Sequence, residues 1–374
     1  MTSKGLKRLL VLVFTVFSVF HLNLVNAQEK QESKEKEAYN AGKSIINHVL
    51  DAHQFHILSF GKAHFGLPLP IILFSPEKGL VVFSASHIEE GETYKGFKFS
   101  DEEGSSLVGA HEDGSVDSTI VVYSSLMSFS KPLPTGVTTK YYDFSVTKGA
   151  AQLIFASVLL IVIMLSVAKK YKKTGANKAP SGFQNAVEPV ITFVRDDVAK
   201  TYLGHNYERY MPFLLTVFFF ILINNLLGLI PGSANVSGNI AFTFVLAIIA
   251  FIVIVFSTNG KFWGHVFWFP GVPVPVKILM IPVELLGMVI RPAALMIRLF
   301  ANMTAGHIVI LSFISLIFIF GQMSPVAGYG FSPVSILFVI FMDCVELLVA
   351  FIQAFIFTNL TAVFISQSIV EDHH

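Results

Sequence analysis

Residues 288–320 read MVIRPAALMIRLFANMTAGHIVILSFISLIFIF. The stretch is almost wholly apolar, yet Arg298 stands inside it, with Asn302 and His307 further along the same run. The apolar segment around it extends from Pro282 to Gln322. That is about 41 residues, or ~60 Å as a single helix. Roughly 20 residues suffice to cross ~30 Å of hydrocarbon. One helix of this length would need a tilt near ~60°, beyond the usual 0–40°. The alternative is a helical hairpin broken near Thr304–Gly306. The last apolar segment, Pro333 to Ile369, is overlong too. The joint between them reads SPVAGYGFSP. Two such segments in succession suggest steeply inclined helices side by side, a shape that suits a large curved partner in the membrane.

The rest of the chain supports a membrane setting. Of 374 residues, 53% are hydrophobic and 14% charged, against about 25% charged in soluble domains. A formal net charge of +1 offers no basic surface for nucleic acid. One cysteine, Cys344, excludes an internal disulfide framework and a cysteine zinc site. Three further apolar segments precede the overlong pair: Ala150–Ala168, Met211–Ile230 and Ile240–Ser257. The fold class is an all-α polytopic membrane protein of about five membrane segments, with a small β-rich domain ahead of them.

Lys and Arg distinguish the cytoplasmic loops. KKYKK follows the first span at 169–173, and Arg195, Lys200 and Arg209 lie before the second. The loops 231–239 and 323–332 hold no Lys or Arg, whereas Lys261 and Lys277 lie between the third and fourth spans. This places the N-terminal part outside and the C-terminal EDHH inside, as in a multi-pass protein of a cytoplasmic membrane. The N-terminus agrees. Lys4, Lys7 and Arg8 precede an apolar run from Leu9 to Phe20 and the small-residue site Val25-Asn26-Ala27, as in a secretory signal peptide over 1–27; an uncleaved signal anchor gives the same topology. Residues 28–148 show short strand signals divided by Gly, Asp and Ser, such as LPLPIILF and STIVVYSS, and read as an extracytoplasmic domain. Its histidines, His48, His53, His56 and His64, do not match a zinc spacing, so no metal is expected there. The membrane domain is 149–374. Between the first two spans, Phe183, Val187, Val190, Ile191 and Val194 recur at helical spacing, as either a surface-lying amphipathic helix or a connector.

Ionisable groups inside membrane segments are rare and mark function by default. Glu284, Arg291 and Arg298 recur every seven residues, so they drift only about 20° per step on a helix. Asn302 lies about 40° beyond Arg298. Asp343, Glu346 and Gln353 share a face of the last helix. His307 lies about 180° from Arg298, so it belongs to a separate aqueous pocket, and its imidazole can titrate near neutral pH. Arg291 at the cytoplasmic side could snorkel to the surface. Arg298 is too deep for that and needs water, a carboxylate or both.

At these residues the chain resembles a known family. IRLFANMTAGH (297–307) resembles the signature of subunit a of the F-type ATP synthase. ELLVAFIQAFIFTNLTAVFIS (346–366) is similar to that family's last helix, and NNLLGLIPG with SANVSGNIAFT (224–243) to its second-span exit and third-span entry. The likeness covers about Ala150 to Ile369. It implies a stator subunit that passes protons through two offset half-channels to a rotating ring of c subunits. Peripheral-stalk b subunit, the rest of the complex and the lipid bilayer are its implied partners. ATP chemistry would lie in other subunits, and no cofactor is implied. Arg298 would face the ring, with Gln353 its polar neighbour on the last helix and Asn302 lining the same region. Glu284 would serve the cytoplasmic half-channel. The family places an acid and a histidine as a pair on the last two helices. Here the positions hold His307 and Glu346, the reverse of the best-known bacterial arrangement. The competing reading is a secondary ion-coupled transporter with a midplane polar site, which calls for inverted repeats; no convincing repeat is present. An intramembrane hydrolase would need a nucleophile with its base or a zinc motif, and neither is found.

Overall fold

The computed structural model describes residues 41–42, 45, 51–60, 63–88, 93–99, 107–111, 115–117, 119–123, 139–174, 182–230, 233–258, 263, 266–267 and 273–369. The signal-peptide segment, His48 and the C-terminal EDHH lie outside these residues, as do the side chains of His56 and His64.

The N-terminal part is built of strands, as the alternating short apolar runs predict. Strand β1 (Gln54–Phe60) pairs antiparallel with β2 (Ala63–Pro68). Strand β3 (Pro70–Ser75) forms a hairpin with β4 (Gly79–Ser84). The turn between them is closed by Ser75 Oγ, which accepts from the amides of Glu77 and Lys78. Gly79 leaves it at φ 80°, a left-handed conformation that favours glycine. Strands β5 (Phe97–Phe99) and β6 (Leu107–Gly109) form a separate pair. Strands β7 (Ile120–Tyr123) and β8 (Thr139–Asp143) run parallel and complete a four-stranded sheet of order β4-β3-β8-β7. Its core comprises Ile71, Leu73, Phe83, Ile88, Phe97, Leu107 and Tyr141. Ile71 and Leu73 alternate with the outward Ile72 and Phe74, the period of a half-buried strand.

This domain is stitched directly to the first membrane helix, α1 (Lys148–Thr174). The Lys148 amide donates to the Ala52 carbonyl at 2.8 Å. Asp51 Oδ1 accepts from the Gly149 amide at 2.9 Å and so satisfies a backbone donor that a helix start leaves open. One step back, buried His53 Nε2 meets Asp143 Oδ2 at 3.0 Å. Burial opposes ionisation of Asp143, but hydrogen bonds from His53 and Ser145 outweigh it and hold the carboxyl below its ordinary range. Among the described residues no group of His, Cys, Asp and Glu is arranged to hold a metal ion.

Helix α2 (Phe183–Phe193) passes into a π-helical turn, Val194–Lys200, and one α-turn, Thr201–Leu203, before Gly204 breaks it at φ 52°. Val187, Val194, Val198 and Leu203 are buried in the membrane-domain core. Phe193 packs against Phe351 and Phe355, far along the chain. Apart from Phe183, which is exposed, the apolar side of this segment packs against protein, as the connector reading expects. Helices α3 (Tyr207–Gly228) and α4 (Ile240–Phe256) follow, joined through a 3₁₀ turn at Val236–Gly238.

The overlong pair consists of two uninterrupted helices, α5 (Val274–Met323, 50 residues) and α6 (Pro325–Ser368, 44 residues). The hairpin alternative at Thr304–Gly306 is not what forms. The expected ten-residue joint contracts to Ser324 alone, whose φ of −161° and ψ of 146° turn the chain. Ser324 caps α6 by accepting from the Ala327 amide at 3.1 Å, and Pro325 fills the first helical position, where it loses no hydrogen bond. Gly328 lies so close to Gly321 that a Cβ would stand 2.8 Å from its Cα. These residues, which read as turn formers, instead let two helices meet at a sharp bend.

The core lies on α3. Leu214, Val217, Phe218 and Ile221 pack with Leu295, Leu299 and Met303 of α5 and with Ala354, Phe357 and Ile365 of α6. Half of the most apolar window of the 183–228 stretch is buried, against 11% of that of α5. Helix α5 therefore presents a long open flank.

Candidate functional site

Three contacts set the register of α5 against α6. The Ser335 hydroxyl donates to the Phe313 carbonyl, Gly306 faces Glu346, and Arg291 Nη1 donates to Gln367 Oε1 at 2.8 Å. The helices run antiparallel, and interpolation along these contacts puts Gln353 level with about Asn302, roughly one turn from Arg298.

Arg298 and Asn302 are exposed on the open flank of α5, while Leu295, Leu299 and Met303 fill the buried side. The seven-residue recurrence and the apolar i, i+4 set place them so. Among the described residues Arg298 makes no hydrogen bond and no ion pair. Arg291, one step of the same stripe away, differs sharply. It contacts Gln367, lies 3.8 Å from Glu284 Oε1 and stacks over the Phe364 ring at 5.4 Å. Glu284 is thus tied to Arg291, next to a cleft lined by Phe251, Ile254, Met288, Pro292 and Phe364.

Gln353 is 5% exposed and lies on the buried side of α6 with Ala350, Ala354 and Phe357, whereas Arg298 is exposed on α5.

Glu346 is buried at 4% exposure, and its Oε1 has no hydrogen-bond partner among the described residues. It fits only because residue 306 is glycine. A Cβ there would stand 2.9 Å from Glu346 Cδ and 3.0 Å from Cγ, with Oε1 closer still. His307 follows Gly306 directly, so it lies near the level of Glu346, about 13 Å along α5 from Arg298.

Around this level the structure assembles polar residues not singled out as site candidates in the sequence. Buried Asn225 Nδ2 donates to the Ala350 carbonyl at 3.1 Å, between Glu346 and Gln353, and its Oδ1 accepts from Ser237. Asn235 Nδ2 donates to the Met303 carbonyl at 3.2 Å, and its Oδ1 accepts from the Gly238 amide at 2.9 Å. Gln152 of α1 holds the same loop through the Ala234 amide at 2.8 Å. Gln152 Nε2 and Asn224 Oδ1 are buried without a partner among the described residues. The signal for them was present: an Asn-Asn pair closing an apolar span, and a loop rich in Asn and Ser.

Comparison with known proteins places this membrane part in a family. The model of the family described as ATP synthase A chain matches residues 151–366. The chain belongs to the ATP synthase A chain family. It is 46% identical to the ATP synthase subunit a of Chloroherpeton thalassium over 239 residues, 62% of this chain and 69% of that one. It is 43% identical to the subunit a 2 of Chlorobaculum tepidum, over 60% of this chain and 63% of that one. The subunit a of Chlorobium phaeobacteroides strain BS1 matches at 40% over 278 residues, covering 71% and 80%. Residues 44–126 match a separate family described only as a domain of unknown function, which spans β1 to β7. The chain is therefore a membrane protein of the ATP synthase A chain family with a strand-built domain ahead of the family's part.

Proposed function

We propose that this chain is the proton-translocating stator subunit of an F-type ATP synthase. It would provide two offset half-channels to a ring of c subunits, with ATP chemistry in partner subunits and a peripheral-stalk b subunit holding it in place. The observation that carries the reading is Arg298. A guanidinium is charged at any physiological pH, and this one stands on the open flank of an apolar helix with no counter-charge among the described residues. Its partner is a carboxylate supplied by another chain.

The remaining geometry then falls into place. Lys169 to Lys173 end α1 on one side of the membrane, while the strand-built domain is stitched to its other end. By the excess of positive charge on the cytoplasmic side, the domain lies outside and the level of Glu346 and His307 is the outer half. Protons enter there. The orphan polar atoms of Gln152, Asn224 and Glu346 are suited to bind water, since leaving each unbonded costs about 1–3 kcal/mol. A ring carboxylate that takes up a proton becomes neutral and can move into lipid, which the charged form cannot do cheaply. After rotation it releases the proton towards Glu284, about 21 Å along α5 from Arg298. Arg298 lies between the two levels. Its charge favours the ionised ring carboxylate and opposes a proton leak through like-charge repulsion.

Replacement Arg298→Ala tests this. Proton-driven ATP synthesis should be abolished, while ATP hydrolysis by the detached catalytic head is unchanged. Normal coupled synthesis in the variant would overturn the proposal.

A further inference from the structure

Asp343 is an intramembrane acid that the function above leaves without a role. It lies on α6 three residues before Glu346, half-buried, on the same face. Residues at that spacing are neighbours, with Cβ atoms about 5–6 Å apart. In the orientation proposed above Asp343 is about 4.5 Å nearer the outer side than Glu346. Two further observations distinguish this place from an incidental acidic pair. Glu346 is 4% exposed and its Oε1 is an orphan. Outward of Asp343, the α5–α6 interface continues with buried Ser315 and Ser335. Below it comes buried Asn225 at Ala350.

The geometry points to Asp343 as a second proton-carrying residue of the outer pathway, placed before Glu346. This rests on the half-channel reading above. A hydronium in the outer water gives its proton to the Asp343 carboxylate and leaves as water. Asp343 passes the proton to the Glu346 carboxylate, directly or through one water, and is left ionised. Glu346, at the level of His307, gives it up towards the ring carboxylate and is ionised in turn. One proton has moved, and both acids are restored. Among the described residues His307 and Cys344 are the other titratable groups at this level. The segments packed here from α3 and from Ser233–Asn239 contribute the neutral Asn225, Asn235 and Ser237.

The test is passive proton conduction through the membrane sector, in vesicles of the assembled complex with the catalytic head removed, as a function of outer-side pH. Asp343→Asn should slow conduction at least about tenfold, in keeping with the worth of a positioned proton-transfer group. Asp343→Glu should stay within about threefold and shift the pH profile. Wild-type rate and profile in Asp343→Asn would overturn the inference. So would equal loss in Asp343→Asn and Asp343→Glu from assembled complexes, which marks a packing role. Asp343→Cys in a Cys344→Ala background adds an independent readout. A membrane-impermeant maleimide should label it from the outer side, and no labelling counts against the pathway. Arg298→Ala is run in parallel. Coupling retained there would remove the subunit reading itself, whatever Asp343 does.

Discussion

Replacing Gly306 with alanine separates a structural cost from a functional one. The new Cβ would stand 2.9 Å from Glu346 Cδ and closer still to Oε1, so the carboxyl must move by an ångström or more. Overpacking of this kind costs about 1–3 kcal/mol. Alanine in a helix interior regains about 1 kcal/mol over glycine. The net loss of stability is therefore about 0–2 kcal/mol, small enough for the complex to assemble. Conduction should suffer far more, because misplacing a reacting group by about 1 Å can cost on the order of 100-fold. Proton conduction measured in vesicles stripped of the catalytic head should fall about 10- to 100-fold. Gly321→Ala is the control, since a Cβ there meets nothing within 4 Å, and it should conduct normally. Adding Glu346→Asp to Gly306→Ala shortens the acid and should recover part of the rate. Wild-type conduction in Gly306→Ala would refute the placement of Glu346 on the proton route.

Two further outcomes are expected. If His307 and Glu346 serve one inlet, the exchange His307→Glu with Glu346→His should retain more ATP-synthesis activity than either single change; absence of rescue counts against their pairing. In the outer domain, Asp143 has a lowered pKa through His53 and Ser145. Its contribution to stability is thus full above the ordinary aspartate value of about 3.9 and is lost as pH falls through the lowered value. Hydrogen exchange on the full chain should show β8 and the start of α1 loosening below about pH 4, and a region equally protected at pH 3 and pH 7 would argue against this.

Much of the fold was legible because lipid restricts the options. Apolar length and the distribution of Lys and Arg set the helices, and the spacing of Glu284, Arg291 and Arg298 set the open flank. What could not be read depended on contacts between helices. PVAGYGFSP has the composition of a turn, and only the approach of Gly328 to Gly321 shows why it continues as helix. Gly306 suggested a break because glycine is a poor helix former, yet its missing side chain makes room for Glu346. Gln353 was assigned to Arg298 by resemblance. Its burial with Ala350, Ala354 and Phe357 depends on which face of α6 the core covers, and contacts between helices decide that. Asn225 and Asn235 are ordinary interhelical polar residues until their acceptors, the carbonyls of Ala350 and Met303, place them around the buried acid.

The central claim is that the flank bearing Arg298 faces a ring carboxylate. The most direct measurement is site-directed crosslinking in the assembled complex, in a Cys344→Ala background. Cysteines replace Ala294 or Ala301 on the exposed side of α5, or the buried Leu299, and are paired with cysteines flanking the ring carboxylate. Crosslinks from Ala294 and Ala301 but not from Leu299 are the predicted result. Crosslinks to lipid-facing probes alone, with none to the ring from either exposed position, would contradict it.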